Sequence, residues 1–143
     1  MHKEQYTQFA PALAAGHQNE EVVAGEFAYH GIEVERSHGK APYDFKLPSG
    51  QLVEVKLDLR SQRTSNGCIE ANSLARPVDF FIHTFCYARV YTHQEYQWLY
   101  NHGKIPSNGL GEQHYEGRYV SKLEMRNKGK FLDEFIKSLK QQQ

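Results

Sequence analysis

YDFKLPSGQLVEVKLDL, from Tyr43 to Leu59, places two apolar-rich runs on either side of Pro48-Ser49-Gly50. Proline presets φ and glycine accepts positive φ, so these three residues have turn chemistry and the stretch reads as a β-hairpin. With Pro48 to Gly50 as the loop, Leu47 pairs with Gln51, and counting back sets Asp44 opposite Glu54. Cross-strand partners of this kind have Cβ atoms about 4.5–5.5 Å apart. Lys56 follows two residues after Glu54 and shares its face, because side chains alternate along a strand. Val53, Val55 and Leu57 point the other way, towards a core. An Asp, a Glu and a Lys thus converge on one side of an apolar hairpin. Like charges set opposite each other destabilise a sheet, so a compensating charge is expected. A divalent cation between the carboxylates, with the ammonium beside it, is the natural candidate. The competing interpretation is an exposed strand face with a solvated charge cluster.

Asp44, nine intervening residues, then Glu54-Val55-Lys56 resembles the PD-(D/E)xK signature of the restriction-endonuclease-like nucleases, with Pro42 two residues before the Asp. The segments upstream carry the resemblance further. Gln18 to His30 has Val23, Ala24 and Phe27 at helical spacing and is closed by Gly31 as a C-terminal cap. Glu20 falls at the centre of that apolar face, with Glu21 and Glu26 on its flanks. A carboxylate on a buried stripe needs a partner, because burying it unpaired is costly. The alternative is an ordinary first-turn Glu favoured by the helix dipole. Glu20, Val23-Ala24, Phe27, Gly31 and Ile32 are similar to the first helix of archaeal-type Holliday-junction resolvases, in which a Glu eleven residues before a helix-ending Gly points at the metal site. Ile32 to Ser37 follows as a strand, with Ile32 and Val34 on one side and Glu33 and Glu35 on the other. Helix, strand, then a hairpin carrying Asp and Glu-x-Lys is the family's core order.

After the hairpin, Arg60 to Gly67 is a polar loop that re-enters a short strand around Cys68-Ile69-Glu70. R-T-S-N-G-C-I-E resembles the segment after the Lys in several phage endonucleases. Arg60, Arg63, Thr64 and Asn66 are suited to holding phosphate oxygens beside a metal, or else form a plain surface loop. Glu70 either adds a carboxylate to the site or is a satisfied strand residue. Asp79 to Phe85 reads as a buried strand with Arg89-Val90-Tyr91 as its neighbour. Thr92 and Glu95 form a capping box that opens a helix ending near Gly103. Trp98 on that helix is either core or a base-stacking platform. Lys104 to Glu116, with His114, is a loop able to cover a substrate. A strand from Arg118 to Leu123 precedes a last helix, Lys130 to Lys140, expected to bury Phe131, Leu132, Phe135, Ile136 and Leu139. A short helix from Glu4 to Ala15, interrupted by Pro11 and stopped at Gly16, begins the chain. Between Lys122 and Lys140 six basic residues face three acidic ones, either a phosphate-backbone patch or a solvated face.

At 143 residues the chain suits one domain, residues 1–143, with room for a core. Lys+Arg and Asp+Glu are 17 each, so no global field draws the protein to nucleic acid and any DNA contact needs a local basic track. No apolar run nears membrane-spanning length and no signal-peptide pattern is present, so a cytoplasmic protein with no membrane partner is expected, of a bacterial or phage-infected cell. Cys68 and Cys86 form no CxxC pair and are expected to be small buried hydrophobes. The eight His lack HExxH or zinc-finger spacing, and no GxSxG elbow, Walker loop or GxGxxG occurs.

The expectation is an α/β protein with a mixed central β-sheet flanked by helices, similar to the restriction-endonuclease-like fold. The resemblance implies hydrolysis of DNA phosphodiester bonds with Mg²⁺ as cofactor and Mn²⁺ as a substitute. Asp44, Glu54 and the Val55 backbone carbonyl would hold the metal, and Lys56 would orient or deprotonate the attacking water. Glu20 would act through water or a second metal. The partner implied is DNA, branched or duplex, and the assembly a homodimer. The Asp-to-Glu spacing and the Arg-Thr-Ser-Asn loop favour a phage-type or junction-resolving enzyme. Alternatives are a restriction-type duplex endonuclease, a non-catalytic nucleic-acid-binding relative, or a structural or inhibitor-like phage protein with an accidental motif.

Overall fold

The computed structural model describes residues 2–62, 64–105 and 117–142, with residues 2–12 and residue 60 as backbone alone. The hairpin at its centre forms as its turn chemistry dictates. Gly50 takes φ 92°, the N–H of Leu47 bonds the Gln51 carbonyl at 2.8 Å, and the ladder pairs Lys46 with Leu52 and Phe45 with Val53. These strands are β2 (Phe45–Lys46) and β3 (Leu52–Leu57). Before them come helix α1 (His2–Tyr29) and β1 (Glu35–Arg36), which pairs antiparallel with β2.

Helix α1 is one element, not the two separated at Gly16 that the sequence leads one to expect. A glycine within a helix costs roughly 1 kcal/mol relative to alanine but ends nothing by itself. The stop comes where the chain turns left-handed, at Gly31 with φ 81°. There the N–H of Ile32 bonds the Phe27 carbonyl and that of Gly31 the Ala28 carbonyl, each at 2.9 Å, a Schellman motif. The predicted Ile32–Ser37 strand shrinks to Glu35–Arg36, although Ile32 and Val34 still turn inward.

Beyond β3, a 3₁₀ turn (Arg60–Gln62) leads to β4 (Asn66–Glu70) and the four-residue helix α2 (Ala71–Leu74). The chain then crosses to β5 (Phe80–Thr84), parallel to β3, with Val53 opposite Phe80 and Lys56 opposite His83. Strand β6 (Ala88–Thr92) returns antiparallel, and α3 (His93–Asn101) starts from the Thr92–Glu95 capping box with both reciprocal bonds made. Next come β7 (Gly117–Ser121), α4 (Lys122–Lys128), β8 (Lys130–Phe131) and α5 (Leu132–Gln141). The protein is therefore α/β, with a six-stranded mixed sheet in the order β1-β2-β3-β5-β6-β8 and a two-stranded ribbon β4-β7.

Alternating side chains divide the core in two. Val53, Val55, Ile82 and Val90 meet Val23 and Phe27 of α1 and Leu132, Phe135 and Ile136 of α5 on one face. Phe81 and Tyr91 meet Tyr96 and Leu99 of α3, Met125 of α4, Ile69 of β4 and Val120 of β7 on the other. Three expectations are corrected here. The strand expected over Arg118 to Leu123 ends at Ser121, and Lys122–Lys128 is helical, because the Ser121 hydroxyl accepts the N–H of Glu124 at 3.1 Å. Phe131 is exposed on the edge strand β8 under the Arg89 guanidinium, 4.0 Å from its ring centroid. Cys86 is exposed and Cys68 half-buried, because Cys86 lies in the β5–β6 turn and Cys68 on a two-stranded ribbon. The predicted covering loop lies, from residue 106 to 116 including His114, outside the described residues. No described helix is long and apolar enough to cross a membrane.

Candidate active site

The hairpin ladder ends at Phe45–Val53, one pair short of Asp44 and Glu54. Asp44 bends away from the strand: its N–H bonds the Val53 carbonyl at 2.9 Å, and its Oδ2 accepts the N–H of Val55 at 2.7 Å. The Asp44 side chain thus takes the strand position its backbone has vacated, and this sets its carboxylate beside Glu54. In a strand the N–H and C=O of one residue point to the same side. The Val55 carbonyl therefore faces Asp44 too, beyond the end of β2.

Glu54 occupies an inner strand, between β2 and β5, and its side chain is 7 % exposed. Burial, a hydrogen bond to the Asp44 carboxyl and the Asp44 charge together push it up to about 8, against the opposing pull of Arg76 and Lys56. Glu20 joins the same group from α1. Burial, the charge of Asp44 and a hydrogen bond with it raise its carboxyl, while His17 and Arg36 pull the other way. Glu21, one residue on, turns outward and bonds Arg36 at 2.8 Å, and that bond and charge lower its carboxyl. Asp44, at the bend, is therefore close enough to perturb both the helix carboxyl of Glu20 and the strand carboxyl of Glu54. Such a group is held by sharing a proton or by taking up a cation.

Glu20 and Asp44 line a cleft of about 730 Å³ whose other walls include His17, Arg36, His38, Lys40 and Arg76. Glu54 lies behind Arg76, whose Nε is 2.9 Å from its Oε2. This guanidinium, together with the raised carboxyl, is the compensation that the facing carboxylates require. Among the described residues, no set of three or more His, Cys, Asp and Glu side chains would hold a metal ion by itself. Two carboxylates and a backbone carbonyl suit Mg²⁺, which keeps several waters and takes one or two protein carboxylates plus substrate phosphate. The Asp44–Glu54 pair fits that cation: it is an oxygen-only donor set in which two carboxyl groups face each other.

Lys56 is drawn elsewhere. Its Nζ bonds Glu70 Oε2 at 3.2 Å, and both side chains are about one-third exposed. They line a separate cavity of about 170 Å³ with Asp58, Cys68 and His83. Thr64 and Asn66 close a local turn, the Thr64 hydroxyl donating to the Asn66 carbonyl at 3.0 Å and accepting its N–H at 3.2 Å. Neither lines the cleft. Arg60 is described as backbone in the 3₁₀ turn, and Arg63 lies outside the described residues.

Two features escape a reading of the sequence. Arg76 is one, since nothing local marks the Arg of Leu-Ala-Arg-Pro as the partner of a residue twenty-two positions earlier. The other is a buried chain in which His83 Nε2 is 2.8 Å from Asp58 Oδ2 and His83 Nδ1 is 2.8 Å from the Tyr96 hydroxyl. Asp58 also accepts the N–H groups of Ser61 at 3.0 Å and Cys68 at 2.8 Å, pinning the 3₁₀ turn and β4 to the end of β3. Burial alone would raise its carboxyl, but the His83 hydrogen bond and charge and these two N–H groups hold it below the usual range. The signal was present in part, because 54, 56 and 58 alternate onto one face. Comparison of the chain with protein-family models, with curated proteins and with solved structures found no match.

Proposed function

We propose that this protein is a Mg²⁺-dependent nuclease that hydrolyses phosphodiester bonds in DNA, acting as a phage-type or junction-resolving enzyme. The observation that carries the proposal is the convergence of Glu20, Asp44 and Glu54 beside a cleft with cationic walls. The Glu20 and Asp44 carboxylates and the Arg36, Lys40 and Arg76 side chains that line the cleft match the two charges of a metal–phosphodiester complex. The order of α1, β1 and the β2–β3 hairpin supports the resemblance to the restriction-endonuclease-like fold.

In this reading Asp44, Glu54 and the Val55 carbonyl hold the ion, which when bound supplies positive charge to the phosphate and acidity to a water. Glu54, whose carboxyl is raised by burial and by Asp44, would have to be ionised to hold the ion. Lys56 leaves Glu70, orients the attacking water and offsets charge developing on the phosphate. Glu20 positions a second water from the helix side. By the family resemblance the products carry a 5′-phosphate and a 3′-hydroxyl.

The test is cleavage of a four-way junction, a linear duplex and a single strand, each with and without Mg²⁺. Mg²⁺-dependent cleavage of the junction in preference to the other two is expected, and no cleavage of any of them refutes the proposal. Lys56→Ala should keep the fold and DNA binding and lose cleavage, since the partly exposed pair with Glu70 contributes about 1 kcal/mol. Wild-type rates in that variant would remove Lys56 from the chemistry.

A further inference from the structure

We propose that Arg76 is the substrate-binding residue that receives the scissile phosphate, and that Glu54 holds it in readiness until a cation takes its place. This deepens the nuclease reading and rests on it. Arg76 stands between Glu54 and the cleft. Its Nε is 2.9 Å from Glu54 Oε2, yet its own side chain is 45 % exposed and lines the cleft with Glu20, Asp44, Arg36 and Lys40. A guanidinium bonded directly to a cation-holding carboxylate is one group away from any phosphate that shares the cation.

Charge determines when it moves. Without a cation, Glu54 is a buried carboxyl beside another carboxyl, and Arg76 offsets their negative charge. With a divalent ion on Asp44 and Glu54 that negative charge is spent, and Arg76 is left beside a charge of its own sign. The nearest anion is then the substrate phosphate, whose oxygens match the guanidinium fork. The backbone need not follow: the N–H of Arg76 is held by the Ser73 carbonyl at 3.1 Å, and the long side chain swings alone. Arg36 is less available, because it bonds Glu21 at 2.8 Å and lies over the Phe45 ring at 5.2 Å.

The experiment is DNA binding by fluorescence anisotropy with a labelled four-way junction and a linear duplex, over a salt series. Each series is run in Ca²⁺, as a divalent probe, and in EDTA. Removing one cation–phosphate pair lowers the slope of log affinity against log salt by about 0.9 on duplex DNA. Arg76→Gln should lower the slope by about that amount and weaken binding about tenfold in Ca²⁺, and leave both unchanged in EDTA. Arg76→Lys keeps the charge and guards against a variant that does not fold. It should retain the wild-type slope in Ca²⁺ with severalfold weaker binding, and wild-type affinity in it overturns the pairing of the guanidinium fork with phosphate. An unchanged slope for Arg76→Gln in Ca²⁺ overturns the role of Arg76 while leaving the nuclease reading intact. A slope that falls equally in EDTA overturns the exchange. If the wild type binds neither DNA in Ca²⁺, the nuclease reading falls, and this inference with it.

Discussion

Glu54 carries an electrostatic conflict in one side chain: 7 % exposed, hydrogen-bonded to another carboxyl, with Arg76 2.9 Å away. Unfolded, its carboxyl ionises near 4.5; folded, burial and Asp44 push it up to about 8. Between those values the native state holds a proton that the unfolded chain has released. The stability this group contributes is complete below pH 4.5 and is lost as pH rises through about 8. Glu54→Gln removes the titration at nearly constant shape. Urea denaturation at pH 5, 7 and 9 should show wild-type stability falling by up to a few kcal/mol more than that of the variant (pKa shift converted at about 1.4 kcal/mol per unit). Glu20 shifts the same way, so a smaller slope remains. Cation uptake displaces the same proton, so Mg²⁺ affinity measured by calorimetry should rise over this range. Parallel pH–stability curves for the two proteins would show that Glu54 is not the group holding the proton.

Helix α1 delivers its carboxylate by periodicity alone. Val23, Ala24 and Phe27 set a stripe against the sheet, and Glu20, one turn earlier, continues it to where the helix passes Asp44. Glu21 lies a hundred degrees away and meets Arg36 in solvent. In single-turnover assays Glu20→Gln should slow cleavage on the order of 10²-fold, and Glu21→Gln should change it by a factor of about two or less. Equal or reversed effects would identify Glu21 as the helix carboxylate of the reaction. The stripe is legible because 3.6-residue spacing is written into the chain, whereas the helix boundary is not. Gly16 and Gly31 are the same residue type, and only the left-handed turn at Gly31 stops the helix. Ser121 likewise follows a readable strand and opens α4 because its hydroxyl caps Glu124. Phe131 follows the apolar pattern of α5 but precedes its first turn, on the exposed edge strand β8.

On one face of the sheet the end of β3, β5 and α3 are tied together by Asp58, His83 and Tyr96. Removing the imidazole leaves a buried carboxylate without its side-chain partner, whereas removing the phenol hydroxyl breaks a single hydrogen bond. His83→Leu should therefore cost about 3–5 kcal/mol and Tyr96→Phe about 1 kcal/mol in denaturant unfolding. Equal costs for the two would show that the Asp58–His83 pair is not what holds this corner. The hairpin register, the juxtaposition of Asp44 with Glu54 and the inward face of Glu20 follow from the sequence by itself. Each depends on a short-range period or on one three-residue turn, and so on neighbours in the chain. The tertiary structure alone decided which side chains answer the charged ones: Arg76 for Glu54, Glu70 for Lys56, Arg36 for Glu21 and His83 for Asp58. Those partners are brought in by the crossover to β5 and by the packing of α1. An alternating pattern states which face a side chain takes and carries no information about what will cover that face.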